Sequence, residues 1–163
     1  MYIPRLQLTS LAGLSLLLCL QAGAQNLSTQ DRKFLEDAAK GSKREVHLGQ
    51  MAMEKGSSDK VKSYGRRLIQ DHTKAGQEAE SLAQKKGVTL PTADQAMTPR
   101  ALTAVTGTSF DKAFAKMMVS DHEKDIKEFE REVSIGNDPD VKKWASETLA
   151  TLRSHLEEAK TLE

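Results

Sequence analysis

The chain has a single cysteine in 163 residues, four prolines, one tryptophan and only 4% aromatic residues. One cysteine, Cys19, excludes a disulfide framework, so stability has to come from packing. So few aromatics, set against plentiful Ala, Leu, Lys and Glu, argue for helix over strand. Neither sign of charge dominates: 24 Lys and Arg face 23 Asp and Glu. With no basic stripe either, the chain lacks the electrostatic footprint of a nucleic-acid binder. No serine stands in an elbow motif, which leaves nucleophilic catalysis without a candidate. Beyond the N-terminus no second long apolar run follows, so no retained membrane span is expected.

The N-terminal run itself reads as a secretory signal. Arg5 supplies the positive charge, Leu6 to Leu20 the apolar stretch, and Ala22-Gly23-Ala24 a small-x-small cleavage site. The run is shorter than the roughly 20 residues that cross a bilayer; a retained anchor is the alternative. A lipoprotein reading at Cys19 meets Leu18 where a small residue is wanted. The expectation is a signal peptide over 1–24 and a single domain over 25–163, exported to the periplasm. Arg5 is the only charged side chain removed, so the exported part is neutral and free of thiols.

Four segments carry helical periodicity. The first is expected from about Thr29 to Lys55, with Ser28 as N-cap and Asp31 three residues on. Its inward stripe is Phe34, Leu35, Ala38, Ser42, Glu45, Gly49, Ala52 and Met53. The second runs from Asp59 to Lys86 and is stopped by Gly87, with Tyr64, Leu68, His72 and Ala79 on one face. The third spans about Ser109 to Ile135, with Thr108 as N-cap and Asp111 as its capping-box partner. The fourth begins at Pro139 and carries Trp144, Leu149, Leu152, His155 and Ala159. Between the second and third lies Val88 to Gly107, too long for a simple hairpin. Pro99 is placed to start a short helix reaching Val105. The fold class is therefore all-α, a four-helix bundle. A long connection that crosses it end to end is one arrangement, and a simple up-down-up-down order is the other.

Several ionisable residues interrupt the apolar faces. A wheel at 100° per residue puts Glu45 near the centre of the first stripe, with His47 roughly 160° away and toward solvent. His72 sits mid-face on the second helix, His122 and Asp125 flank the face of the third, and His155 falls within the run of the fourth. With the end-to-end connection, Glu45 and His155 stand roughly 25 Å up their ascending helices, and His72 and His122, on descending ones, lie at about the same height. The heptapeptides Leu68-Ile69-Gln70-Asp71-His72-Thr73-Lys74 and Met118-Val119-Ser120-Asp121-His122-Glu123-Lys124 echo one another. In each the Asp is about 100° from the His, a flank position suited to pairing or orienting. Leaving several ionisable groups in a dry core costs several kcal/mol each unless they pair or bind a cation. A metal ion resolves that cost, with Glu45, His72, His122 and His155 as ligands and Asp125 as a further ligand or outer partner. The alternative is an internal Glu45–His network that fixes helix register. Met51, Met53, Met97, Met117 and Met118 raise copper chemistry, but Met at helical spacing usually fills a core.

The sequence also resembles a ferritin-like bacterial family, domain of unknown function 4142. The residues that carry the resemblance are Phe34-Leu35, Glu45-Val46, Asp71-His72-Thr73-Lys74, Gly87-Val88-x-Leu90-Pro91, Asp121-His122-x-Lys124-Asp125, Phe129-Glu130 and Thr148-Leu149-x-Thr151-Leu152-x-x-His155-Leu156. The resemblance implies a ferritin-like four-helix bundle with no settled activity, in proteins described as periplasmic or outer-membrane. Ferritin-like di-iron sites need Glu-x-x-His on two helices. Here Ile69, Val119 and Leu152 stand three residues before the histidines, and the order is reversed in His122-x-x-Asp125 and His155-x-x-Glu158. A carboxylate-bridged di-iron centre does not fit; a His-rich site for zinc, iron or manganese does. The other expectation is a non-enzymatic periplasmic stress or interaction module with a structural polar core. A metal-dependent redox enzyme would further require an open coordination position.

Overall fold

The computed structural model describes residues 27–90 and 99–162. The expected signal peptide, Cys19 and Met97 lie outside the described residues. Among the described residues the chain is all-α, with no strand: α1 (Thr29–Lys55), α2 (Asp59–Lys85), a short α3 (Arg100–Thr103), α4 (Gly107–Ile135) and α5 (Pro139–Lys160). No described helix is long and apolar enough to cross a membrane.

Local chemistry sets most helix ends. The Ser28 hydroxyl accepts from the Asp31 amide at 3.1 Å and donates to its carboxylate at 2.6 Å, satisfying an orphan amide of the first turn. Ser58 caps α2 through the Val61 amide, and Asp138 caps α5 through the Asp140 and Val141 amides. At the end of α2, Gly87 adopts a positive φ of 70°. The Val88 amide then reaches back to the Ala83 carbonyl at 2.8 Å, and the Gly87 amide to Gln84 at 3.0 Å. These are the paired bonds of a Schellman stop, and only glycine enters that φ without strain.

Two expectations on helix caps and faces are corrected. Thr108 does not cap α4, which starts at Gly107 after a Thr106 whose side chain makes no capping bond. Asp111 turns away from its own helix instead. It accepts from the Ser57 and Ser58 amides, both at 3.0 Å, and from the Ser57 hydroxyl at 2.6 Å, so it ties α4 to the α1–α2 turn. Met53 lies 41% exposed rather than in the core. The buried face of α1 is rotated toward Ala39, Leu48 and Met51.

A Cβ at Gly49 would stand 2.6 Å from the Gly65 carbonyl oxygen, and one at Gly65 would stand 2.7 Å from that of Gly49. The α1 and α2 backbones meet at this point, which only two glycines allow. Helix directions follow from contacts at the ends. Gln30 donates to Glu132, the Asn137 amide to Asp31, and Lys86 pairs with Asp138, all at one end. Ser57 meets Asp111, and Lys55 meets the Leu102 and Thr103 carbonyls, at the other. The end of α2 and the start of α4 are thus at opposite ends of the molecule. α1 packs on α2 and α4, and α5 packs on the same two helices.

The apolar interior falls into two clusters. One gathers Phe34, Leu35, Ala79, Phe129, Trp144 and Leu149; the other gathers Leu48, Tyr64, Leu68, Phe110, Phe114 and Met118. Fully burying one such side chain contributes about 1.5–3 kcal/mol. Every long helix passes from one cluster to the other across buried polar residues: Ser42 and Glu45, His72, His122 and His155. A polar layer therefore divides the core.

Candidate metal centre

Three imidazoles form the centre of this layer, one each from α2, α4 and α5. One ring nitrogen from each of His72, His122 and His155 lies within 4.8 Å of the other two. The rings are buried, His122 and His155 completely. The centroids are 5.3 Å apart for His72–His155 and His122–His155, and 5.8 Å for His72–His122.

The outer bonds of two rings determine which nitrogens carry protons. His122 Nδ1 lies 2.9 Å from the Met118 carbonyl oxygen one turn back on its own helix. A carbonyl only accepts, so Nδ1 carries the hydrogen and Nε2 presents a lone pair. His155 Nε2 lies 2.8 Å from Asp71 Oδ2, and a carboxylate likewise accepts, so His155 Nδ1 is the bare nitrogen. Arg67 holds Asp71 from one turn back at 3.4 Å and also binds the carboxylate of Glu158 and the hydroxyl of Ser154. This chain of bonds fixes the orientation of His155, and the Tyr64 hydroxyl donates to the His155 carbonyl at 3.2 Å.

The two bare nitrogens, His122 Nε2 and His155 Nδ1, face each other at 3.3 Å. A hydrogen between them would need a third protonated position on neutral rings. Burial opposes the positive charge that this requires. It pushes the His72 imidazole down to about 3, with His155 and His122 adding repulsion, and the His122 imidazole down to about 4, with His155 adding to it. For His155 burial outweighs the opposing pull of Asp71, and its pKa also falls. His72 Nε2 is itself buried without a hydrogen-bond partner. At neutral pH two lone pairs, on His122 Nε2 and His155 Nδ1, therefore face each other with no proton between them.

The carboxylates stand apart. Glu45 and Asp125 are not in the set whose donor atoms lie within 4.8 Å of one another. Glu45 is 1% exposed, and both its carboxylate oxygens lack a hydrogen-bond partner. Arg44 approaches Oε1 only to 3.7 Å, because its guanidinium is held by Asp121 at 2.7 Å. Burial, with repulsion from Asp125 and Asp121, pushes the Glu45 carboxyl up to about 8. Burial, then Glu128 and Asp121, raises Asp125 to about 6. The Asp-His repeat signalled an orienting role for its Asp, and Asp71 takes such a role, though for His155 of a neighbouring helix rather than for His72. Arg67 and the Met118 carbonyl had no sequence signal. His47 is half-buried, outside the triad.

The fold and the layer define a class: an all-α protein with three neutral imidazoles gathered in its core. Residues 19–162 match the family Domain of unknown function (DUF4142), and the chain belongs to that family. No curated protein matches it. Among solved structures the chain is similar to CopM in its Cu(I)-bound form, with a TM-score of 0.70 and 19% identity over 80% of this chain and 93% of that one. It is similar to a conserved hypothetical protein from Mycobacterium tuberculosis, with a TM-score of 0.68 and 16% identity over 83% and 98%. A DUF305 fragment from Deinococcus radiodurans gives 0.68 and 11% over 83% and 96%. At these identities the likeness is one of fold.

Proposed function

We propose that this protein is an exported, ferritin-like four-helix bundle that holds one transition-metal ion between His72, His122 and His155. The observation that carries the reading is the pair of bare ring nitrogens facing each other at 3.3 Å beside the unpartnered His72 Nε2. Two lone pairs pointed at each other repel; a cation among the three rings turns that repulsion into bonds and takes a nitrogen of His72 as the third ligand. The rings are already neutral, as metal ligation requires, and two already donate their outer N–H to a carboxylate or carbonyl. That outer bond is the usual support of a metal-bound histidine. The donor set favours ions that suit imidazole, zinc, iron or copper, over manganese, which prefers oxygen. The Cu(I), Cu(II) and Ag forms in which the structurally similar CopM was solved support copper in particular. Residues 1–24 act as signal peptide in this reading, residues 25–163 form the single domain, and the site of action is the periplasm; association with the outer membrane is the alternative.

A second reading treats the layer as a register-setting network. It is favoured by the continuous His155–Asp71–Arg67–Glu158 chain of bonds, which ties α2 to α5 through side chains alone. The two readings separate in one experiment. Protein purified untagged and without chelator is analysed for metal, and the metal-free form is titrated with Zn2+, Fe2+ and Cu+ while its melting temperature is followed. The metal reading expects one ion per chain and a stabilisation of about 2.7 kcal/mol when free ion reaches a hundred times Kd. Both are lost in His122→Ala. No bound metal together with no thermal shift removes the reading.

A further inference from the structure

Glu45 has no role in the triad, yet it is a buried carboxyl with nothing bonded to it, and its position has a use. Between α1 and α4 the surface opens into a cleft of about 460 Å3, lined by Arg44, Lys40, Lys124 and Glu128 and reaching Glu45 and Asp125. A second hollow of about 30 Å3, large enough for a water, lies deeper and is lined by Ser42, His72, Phe129 and Leu152. The two share Asp37, Gly41, Asp125 and Glu128 as walls, so they adjoin. A side chain built at Gly41, on the wall that the two hollows share, would meet nothing within 4 Å. From solvent inward the lining thus runs from mixed surface charges, through Asp125 and Glu45, to the ring of His72.

We propose that Glu45 and Asp125 form a transfer site that takes an incoming cation between α1 and α4 and passes it to the triad at His72. The inference rests on the metal reading of the triad. A hydrated ion cannot cross an apolar wall; the oxygens of Asp125 and Glu45 replace its waters one at a time, Glu45 giving up its proton to water as the ion arrives. Oxygen donors hold a borderline transition ion less firmly than imidazole does, so the exchange runs toward the histidines. Arg44 is drawn aside by Asp121, which leaves the Glu45 oxygens without a hydrogen bond. The other groove that reaches His72, between α1 and α2 past Ser42, Thr73 and Gly76, has one acid, Glu80, and that acid is paired with Lys43 at 2.8 Å.

The test separates rate from affinity. Metal-free full-length protein is mixed with Zn2+ in stopped flow, and the equilibrium Kd is measured by competition with a chromophoric chelator. Glu45→Gln and Asp125→Asn are expected to slow loading about tenfold or more, a rise in barrier of about 1.4 kcal/mol, because each removes an anionic oxygen that would replace the ion's waters on the way in. Release slows by the same factor, so Kd stays within about threefold of wild type. Gly41→Leu plugs the passage without touching a charge and slows loading likewise, while Thr73→Phe in the other groove loads at the wild-type rate. Unchanged loading in both Glu45→Gln and Gly41→Leu overturns the proposal, as does slowed loading in Thr73→Phe alone. A rise in Kd of about a hundredfold in Glu45→Gln also overturns it, because Glu45 is then a ligand rather than a stage on the way. Wild-type protein that takes up no ion at all sinks the metal reading instead, a result distinct from each of these.

Discussion

The polar layer has two sides made from matching parts and finished differently. α2 and α4 carry the same Asp-His heptapeptide and stand opposite each other, with α1 and α5 on the remaining corners. On the α2–α5 side, Asp71 bonds His155, and Arg67 and Glu158 complete the chain. On the α1–α4 side, Asp121 bonds Arg44, and the buried residue of α1 is Glu45, to which nothing is bonded. One side spends its carboxylate on fixing a ring; the other leaves a carboxyl free in the core. A buried polar group without a partner costs about 1–3 kcal/mol, so the free side is retained at the expense of stability. The comparison teaches that the same motif can serve as a rigid holder or as a reactive face, depending on which neighbour its Asp reaches.

The comparison can be broken most severely at the holder. His155→Ala is expected to weaken metal binding by more than about a hundredfold, beyond the 10–100-fold that outer partners contribute. Isothermal titration of the metal-free protein measures it. Asp71→Asn should fall within that 10–100-fold range, because His155 loses its fixed tautomer, while Asp121→Asn should change affinity by less than about threefold. Equal losses in the two variants would erase the distinction between the sides.

On the carboxyl side the expected effects are on stability. Glu45→Leu should make the metal-free protein more stable by about 1–3 kcal/mol in urea unfolding, since it removes an unsatisfied buried carboxyl of similar bulk. The pH dependence sharpens the point. The Glu45 carboxyl titrates near 8 in the fold against 4.5 in the unfolded chain. Its contribution is therefore intact below 4.5 and is lost as pH rises toward 8. The histidines run the other way: their pKa values are depressed, so stability drains as pH falls below 6.5. Above 6.5 the histidine contribution is fully present and constant, so Glu45 sets the slope, with Glu132, raised to about 7 by burial, adding a smaller part. Metal-free protein should lose up to about 2 kcal/mol between pH 6.5 and 8, and Glu45→Gln should flatten most of that slope.

The helices were legible because caps and stops are local chemistry: Ser28, Ser58, Gly87 and Pro139 act within one turn of themselves. The three histidines were legible because the 3.6-residue period gives each its direction and the rise per residue its depth. What the wheel does not contain is the rotation that one helix imposes on another. The Gly49–Gly65 approach brings α1 and α2 together on a face where Leu48 and Met51 are buried and Met53 is exposed, a contact between helices that a single helix's wheel does not hold. The same limit hid the partner of Asp71. Its flank position was readable, but whether it meets His72, His155 or water depends on how α2 and α5 lie together. Asp111 was misread for a related reason: its spacing matched a local cap, and the α1–α2 turn offered it three better donors.

The most direct measurement is a crystal structure of the protein loaded with Zn2+, read by anomalous scattering at the zinc edge. The account predicts a single strong peak in the polar layer, about 2.0–2.1 Å from one nitrogen of each of His72, His122 and His155. His155 should still be bonded through Nε2 to Asp71. A peak held only by surface carboxylates, or none within reach of the three rings, would contradict it.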